Sequence, residues 1–173
     1  HPHSVWISPD GRALYVCDLG TDTLEVFSIE EDRLRHLPAA SVHAAPGEGP
    51  RHLAFHPEKR IAYLLTEMGC SIYTLDLTDS LAPMRMGHVD ACPKLQPEQR
   101  GGAAIRISPD GKFLYCSNRS SSGGRIDWFS LEDPMHPQHV GTVSDGLFFP
   151  RDFALSRDGQ YLVSAGQREE TII

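Results

Sequence analysis

The chain has 173 residues, 40% of them hydrophobic, and a formal charge of −7. That length is enough for one domain with its own core. The acidic balance excludes a general nucleic-acid binder, which needs a basic surface, but leaves room for a local basic pocket. The apolar runs are too short for a transmembrane helix, so neither nucleic acid nor membrane is an expected partner.

The first predicted element is a short apolar strand, Val5 to Ile7, followed by a Pro9-Asp10-Gly11 turn. Proline presets φ there, and glycine relieves the turn. A second strand is predicted over Ala13 to Cys17, a third over Thr23 to Ile29, and a weaker fourth around Arg35 to Val42. The same order then recurs in LAFHPEKRIAYLLTEM from Leu53, IRISPDGKFLYCSNR from Ile105 and FALSRDGQYLVSAGQ from Phe153. The Pro-rich polar stretches 79–102 and 132–139 are expected to be connections within one domain. No stretch shows helical periodicity.

The anchors Ser8, His56, Ser108 and Ser156 stand 48, 52 and 48 residues apart. A period of about 40 to 50 residues with four short strands per unit points to an all-β fold, a β-propeller. A sandwich would not repeat its sequence, and a β-helix would repeat at a shorter period. The expected blades are residues 1–49, 50–101, 102–149 and an incomplete 150–173, about three and a half units. Closed propellers have roughly four to eight blades, so the chain reads as part of a larger propeller. Cys17, Cys70, Cys92 and Cys116 are scattered without CxxC spacing. They read as reduced small hydrophobes of a cytoplasmic protein. Trp6 and Trp128 read as packing residues.

Positions where the copies keep one residue type, such as Ser-Pro-Asp-Gly, serve the fold. Two register positions instead carry different polar residues. At the start of the first strand stand His3, Arg51, Ala103 and Arg151. At the end of the second stand Asp18, Glu67 (offset by one residue), Asn118 and Gly166, with Arg119 and Gln167 just after. First and second strands form an antiparallel hairpin, so these positions are neighbours. The first strand is also the innermost of a blade. His3, Arg51, Glu67, Arg119 and Arg151 should therefore converge at one end of the central channel, opposite the Pro-Asp-Gly turns. An imidazole, a carboxylate and several guanidiniums suit an anionic substrate. The plainer alternative is an Arg51–Glu67 salt bridge between blades, with Asp152 tying Arg151 down. The His1–His3 pair lacks the carboxylate-rich partner a metal site needs.

At these residues the chain resembles the propeller-type 6-phosphogluconolactonase family of lactonases. HPHSVWISPDGRALYVCDLG, GPRHLAFHPEKRIAYLLTE, AIRISPDGKFLYCSNR and PRDFALSRDGQYLVSAGQ carry the resemblance. It implies seven blades, of which this chain matches the middle-to-late part, and no metal or other cofactor. The fungal carboxymuconate cyclases are similar in the same motifs. Together these resemblances imply a site of His3, Arg51, Glu67 and Arg119, with His1 the other candidate within HPH. Asp18, His52, Asn118 and Arg151, at or beside the same register positions, are further substrate-binding candidates. One departure is Thr66, where the family often has Asn.

The implied reaction is hydrolysis of a sugar-phosphate lactone, 6-phosphogluconolactone to 6-phosphogluconate in the pentose phosphate pathway. Glu67 or His3 could activate water. Arg51 and Arg119 could stabilise the oxyanion or hold the phosphate. A carboxymuconate-type lactonising cycloisomerase is the alternative enzyme, and a non-catalytic interaction platform the alternative class. A platform has no need to gather these four side chains. The absence of GxSxG, P-loop and GxGxxG motifs disfavours serine-hydrolase, nucleotide and dinucleotide chemistry.

Overall fold

The structure, a computed structural model, describes residues 1–120, 123–168 and 171–172, with the backbone only at Thr171. The described residues form four antiparallel sheets. The first holds β1 (Pro2–Ile7), β2 (Ala13–Asp18), β3 (Thr23–Ile29), β4 (Leu34–His36) and β5 (Val42–His43). The second holds β6 (Pro50–Phe55), β7 (Ile61–Thr66), β8 (Ser71–Asp76) and β9 (Met84–Asp90). The third holds β10 (Gly102–Ile107), β11 (Phe113–Ser120), β12 (Gly123–Ser130) and β13 (Gln138–Val143). The fourth holds β14 (Pro150–Leu155), β15 (Leu162–Gly166) and β16 (Thr171–Ile172). Successive sheets meet through their first strands: β1 lies beside β6, β6 beside β10 and β10 beside β14. That is the radial stacking of a β-propeller. Among the described residues no helix is long and apolar enough to cross a membrane.

The turn after each first strand is built by side chains. Ser8 Oγ donates to Asp10 Oδ1 (2.6 Å) and accepts from Ala13 N (2.9 Å), while Asp10 Oδ1 also accepts from Arg12 N. The pattern recurs at Ser108–Asp110 and Ser156–Asp158. Gly11, Gly111 and Gly159 take φ of 73°, 72° and 70°, left-handed values that glycine adopts without strain. In the second sheet His56 stands at the serine's position and makes different bonds, its Nδ1 accepting from Glu58 N and Lys59 N at 3.1 Å each.

Three apolar clusters lie between neighbouring sheets. Tyr15, Leu24 and Val26 meet Leu64 and Leu75; Tyr63, Leu65 and Ile72 meet Ile105, Leu114 and Phe129; Ala104 and Ile126 meet Phe153. Alternate side chains of β7 thus feed two different cores, which is why Ile61–Thr66 reads as an unbroken apolar run. Two tyrosines at the same register tie one blade to the next: Tyr15 Oη donates to Ser80 O and Tyr63 Oη to Pro134 O, both at 2.7 Å. All four cysteines are free and buried. Trp6 packs edge-on against Phe55, and Trp128 covers Gly141.

The outer strands depart from the expectation. The predicted fourth strand of the first unit is two pieces, β4 and β5, both paired with β3 and separated by a 3₁₀ turn at Pro38–Ala40. Stretch 79–102, expected to be a connection, contains β9, and β13 begins at Gln138 inside 132–139. Most residues of β9 and β13 are exposed, so these edge strands carry no apolar alternation to read.

Candidate active site

Each first strand carries a β-bulge near its start. Pro2 pairs with Asp18 and Ser4 with Cys17, which leaves His3 without a cross-strand partner. Arg51 between Pro50 and His52, and Arg151 between Pro150 and Asp152, stand the same way. A bulge bends the strand and re-aims the extra side chain. In the third sheet Ala103 and Ala104 face Ser117 alone, and Ser117 Oγ accepts from Ala104 N at 3.0 Å.

Glu67 follows directly on β7. Its N–H donates to Gly49 O (2.7 Å) and its carbonyl accepts from Gly102 N (2.8 Å), so the loop before β6 and the start of β10 hold its backbone. A side chain on Gly102 would stand 2.3 Å from Thr66 O, so only glycine allows this approach. Glu67 Oε2 accepts from Arg51 Nε at 2.9 Å, and Oε1 lies 2.7 Å from Arg119 NH2. His3 Nε2 stands 4.0 Å from Glu67 Oε2. Three side chains from three sheets, His3, Arg51 and Arg119, thus meet around one carboxylate.

Arg51 is 2% exposed and also donates through NH1 to Ala103 O. Its NH1 lies over the His52 ring, 3.2 Å from Nδ1. His52 in turn meets His3 edge to face, with centroids 5.3 Å apart, and Trp6 at 6.2 Å. Burial, then the Arg51 charge, lowers the His52 pKa to about 3. Burial and then Arg51 also lower His3, against the opposing pull of Glu67. Burial depresses the pKa of both Arg51 and Arg119; crowding by Arg119 adds to it at Arg51, and by Arg151 at Arg119. His3 Nδ1 is buried with no hydrogen-bond partner among the described residues. A cleft of about 520 Å³ opens here, lined by His3, Arg51, His52, Arg151, Gly166 and Gln167 among others.

The remaining candidates are placed differently. Arg151 is exposed at the cleft and donates to Gln167 Oε1 at 3.1 Å. Asp152 does not tie it down; it pairs with Arg106 of the neighbouring sheet at 2.8 Å. Asp18 Oδ1 accepts from Gly20 N and Thr21 N, capping the β2–β3 turn. His1 O accepts from Leu19 N at that same turn. The Asn118 amide is turned inward, accepting from Gly101 N (2.6 Å) and donating to Gln99 O (3.0 Å). Thr66 is likewise engaged away from the cleft, with Glu48 and Ser71.

The model of a family described as lactonase, seven-bladed β-propeller, matches residues 1–173. The chain belongs to the lactonase family. A curated 6-phosphogluconolactonase from Erwinia tasmaniensis is 34% identical over 171 residues, which are 98% of this chain and 51% of that protein. The solved periplasmic gluconolactonase of Pseudomonas aeruginosa superposes with a TM-score of 0.90 at 30% identity, over 99% of this chain and 48% of that one. A Lactobacillus plantarum protein does so with 0.87 at 32% identity, over 99% and 50%. The chain spans about half the length of the relatives it matches.

One residue beside this lactonase-family cleft escaped the sequence reading. Phe149 has φ of 51°, and the guanidiniums of Arg119 and Arg168 lie 5.7 and 4.2 Å from its ring centroid. A signal was present: Phe149-Pro150-Arg151 stands in register with Gly49-Pro50-Arg51.

Proposed function

We propose that the full-length protein hydrolyses a sugar-phosphate lactone, 6-phosphogluconolactone to 6-phosphogluconate, at the cleft lined by His3, Arg51 and Arg151, beside Glu67. The observation that carries the reading is one carboxylate clamped by two arginines, with a histidine of lowered pKa at its edge. An interaction platform has no need of this convergence, and the substrate class matches the activity named for the Erwinia relative.

The geometry divides the roles. Both Glu67 oxygens are engaged by guanidiniums, which suits Glu67 to holding its neighbours in place. His3 is neutral at pH 7 because its pKa is lowered, so it can take a proton from water. The water oxygen then bonds to the lactone carbonyl carbon, and charge develops on the carbonyl oxygen. Arg119, which spends NH2 on Glu67, stabilises that oxyanion. Collapse breaks the bond to the ring oxygen, which takes the proton back from His3. Glu67 steadies the His3 cation between these steps. Arg51, bonded to Glu67 and Ala103 O, holds Glu67 in place. Arg151, exposed at the cleft, meets the substrate phosphate.

The test is loss of 6-phosphogluconolactone above its spontaneous hydrolysis, followed with full-length protein. The expected result is a rate well above background that His3→Asn returns close to it. A wild-type rate equal to background refutes the reading. A cytoplasmic location is proposed on the four free, buried cysteines, which suit a reducing compartment. The Pseudomonas relative, by contrast, is a periplasmic protein. Fractionation of cells expressing the full-length protein decides the matter.

A further inference from the structure

We infer that Phe149 is a positioning residue, held in a strained backbone so that its ring aims Arg119 at Glu67 and brings Arg168 to the same anion-binding pocket. The inference rests on the lactonase reading of that pocket.

The strain is local and specific. A φ of 51° is a left-handed value that bulky residues rarely adopt, and a following proline pushes its neighbour toward extended conformations. The second sheet makes the same turn before its own Pro-Arg with Gly49, at φ 66°. The turn therefore demands the left-handed backbone, and glycine supplies it freely. At 149 the chain meets that demand with phenylalanine, so the ring has a use that offsets the strain.

Core packing is a poor account of that use. The neighbouring apolar cluster takes Leu147 from this loop together with Ala104, Ile126 and Phe153, and Phe149 stands outside it, partly exposed. What the ring does touch is charge. Arg119 and Arg168 both lie over it, in cation–π contact. Arg119 is the group 2.7 Å from Glu67. The Phe149 carbonyl accepts from Gln167 N at 3.1 Å, and the Gln167 side chain accepts from Arg151 at 3.1 Å. Phe149 is thereby linked to three arginines beside the cleft.

The experiment compares Phe149→Gly and Phe149→Trp in the full-length protein. Glycine removes the ring and the backbone strain together; tryptophan keeps an aromatic face. A residue that merely packs predicts a large fall in Tm for glycine. The positioning role predicts a Tm within about 2 °C of wild type, because relief of strain offsets the lost contacts. It also predicts that glycine weakens 6-phosphogluconate binding, measured by calorimetry, by about tenfold and lowers kcat by a similar factor. Tryptophan should restore both to within about threefold. Glycine binding product as tightly as wild type overturns the inference. So does a steep fall in Tm with no rescue by tryptophan. If wild type fails to hydrolyse the lactone, the lactonase reading alone falls. Inorganic phosphate then replaces the product as probe, and equal phosphate affinity in wild type and Phe149→Gly overturns the inference.

Discussion

Replacing Glu67 by Gln removes one charge and keeps the shape, so it isolates what the carboxylate does. Glu67 Oε2 takes Arg51 Nε at 2.9 Å and Oε1 takes Arg119 NH2 at 2.7 Å. A Gln carbonyl can replace one acceptor, but its NH2 then faces the other guanidinium, donor against donor. Hydrogen bonds to charged groups contribute about 1.5–3 kcal/mol each, and breaking a fully buried ion pair costs about 3–5 kcal/mol. The Arg51 and Arg119 side chains are 2% and 9% exposed, but Glu67 is 24% exposed and admits solvent. The expected loss is therefore about 2–3 kcal/mol, below the fully buried limit. Urea unfolding of the full-length protein reads it as a lower midpoint at unchanged slope. A double-mutant cycle with Arg119→Met should return a coupling of about 1–2 kcal/mol. The same substitution has a kinetic signature. Glu67 raises the His3 pKa while burial and Arg51 lower it, so Gln must move that pKa further down. The acid limb of kcat/KM then shifts to lower pH. Stability within about 0.5 kcal/mol of wild type, or a limb moving to higher pH, would refute the reasoning.

Three further outcomes are expected. His3→Asn should lower kcat by about 10²- to 10⁴-fold with KM changed only a few-fold, and a rise in KM at unchanged kcat would assign His3 to binding. His52 has a pKa of about 3 folded against 6.5 unfolded, so below pH 6.5 the unfolded state binds more protons. Its contribution is fully present above pH 6.5 and lost as pH falls toward 3, with a slope of at most about 1.4 kcal/mol per pH unit; His52→Phe should flatten the decline in Tm between pH 7.5 and 5, and an unchanged profile would contradict this. Asp127, fully buried, meets Arg125 (2.7 Å), His139 (2.9 Å) and Thr142 (2.6 Å). Asp127→Ala strands the Arg125 charge and should cost about 3–5 kcal/mol in urea unfolding, where a loss below about 1 kcal/mol would mean that water replaces the carboxylate.

Much of the fold was legible because it is written locally and repeatedly. Ser8, Asp10 and Gly11 make their turn through bonds within six residues, so the same letters at 108–111 announce the same turn. In each unit the hairpin around that turn brings the start of its first strand and the end of its second to one end by chain direction alone, which places His3 and Glu67 alike. The edge strands β9 and β13 were not legible, because exposed residues leave no apolar pattern to read.

The sequence by itself determined the blade unit, its period and the register that singled out His3, Arg51, Glu67, Arg119 and Arg151. Those follow from short-range hydrogen bonding and the two-residue alternation of a strand. Only the tertiary structure decided which of the polar residues at that register face the cleft. The bulges that free His3, Arg51 and Arg151 depend on one unpaired residue in each first strand, which strand periodicity cannot reveal. Asn118 turns inward because Gly101 N and Gln99 O claim its amide, and Asp152 turns sideways because Arg106 of another sheet claims its carboxylate. Phe149 reaches Arg119 across the gap between two sheets, with a backbone angle that no local preference favours. Such contacts join residues far apart in the chain, and they exist only once the blades are stacked.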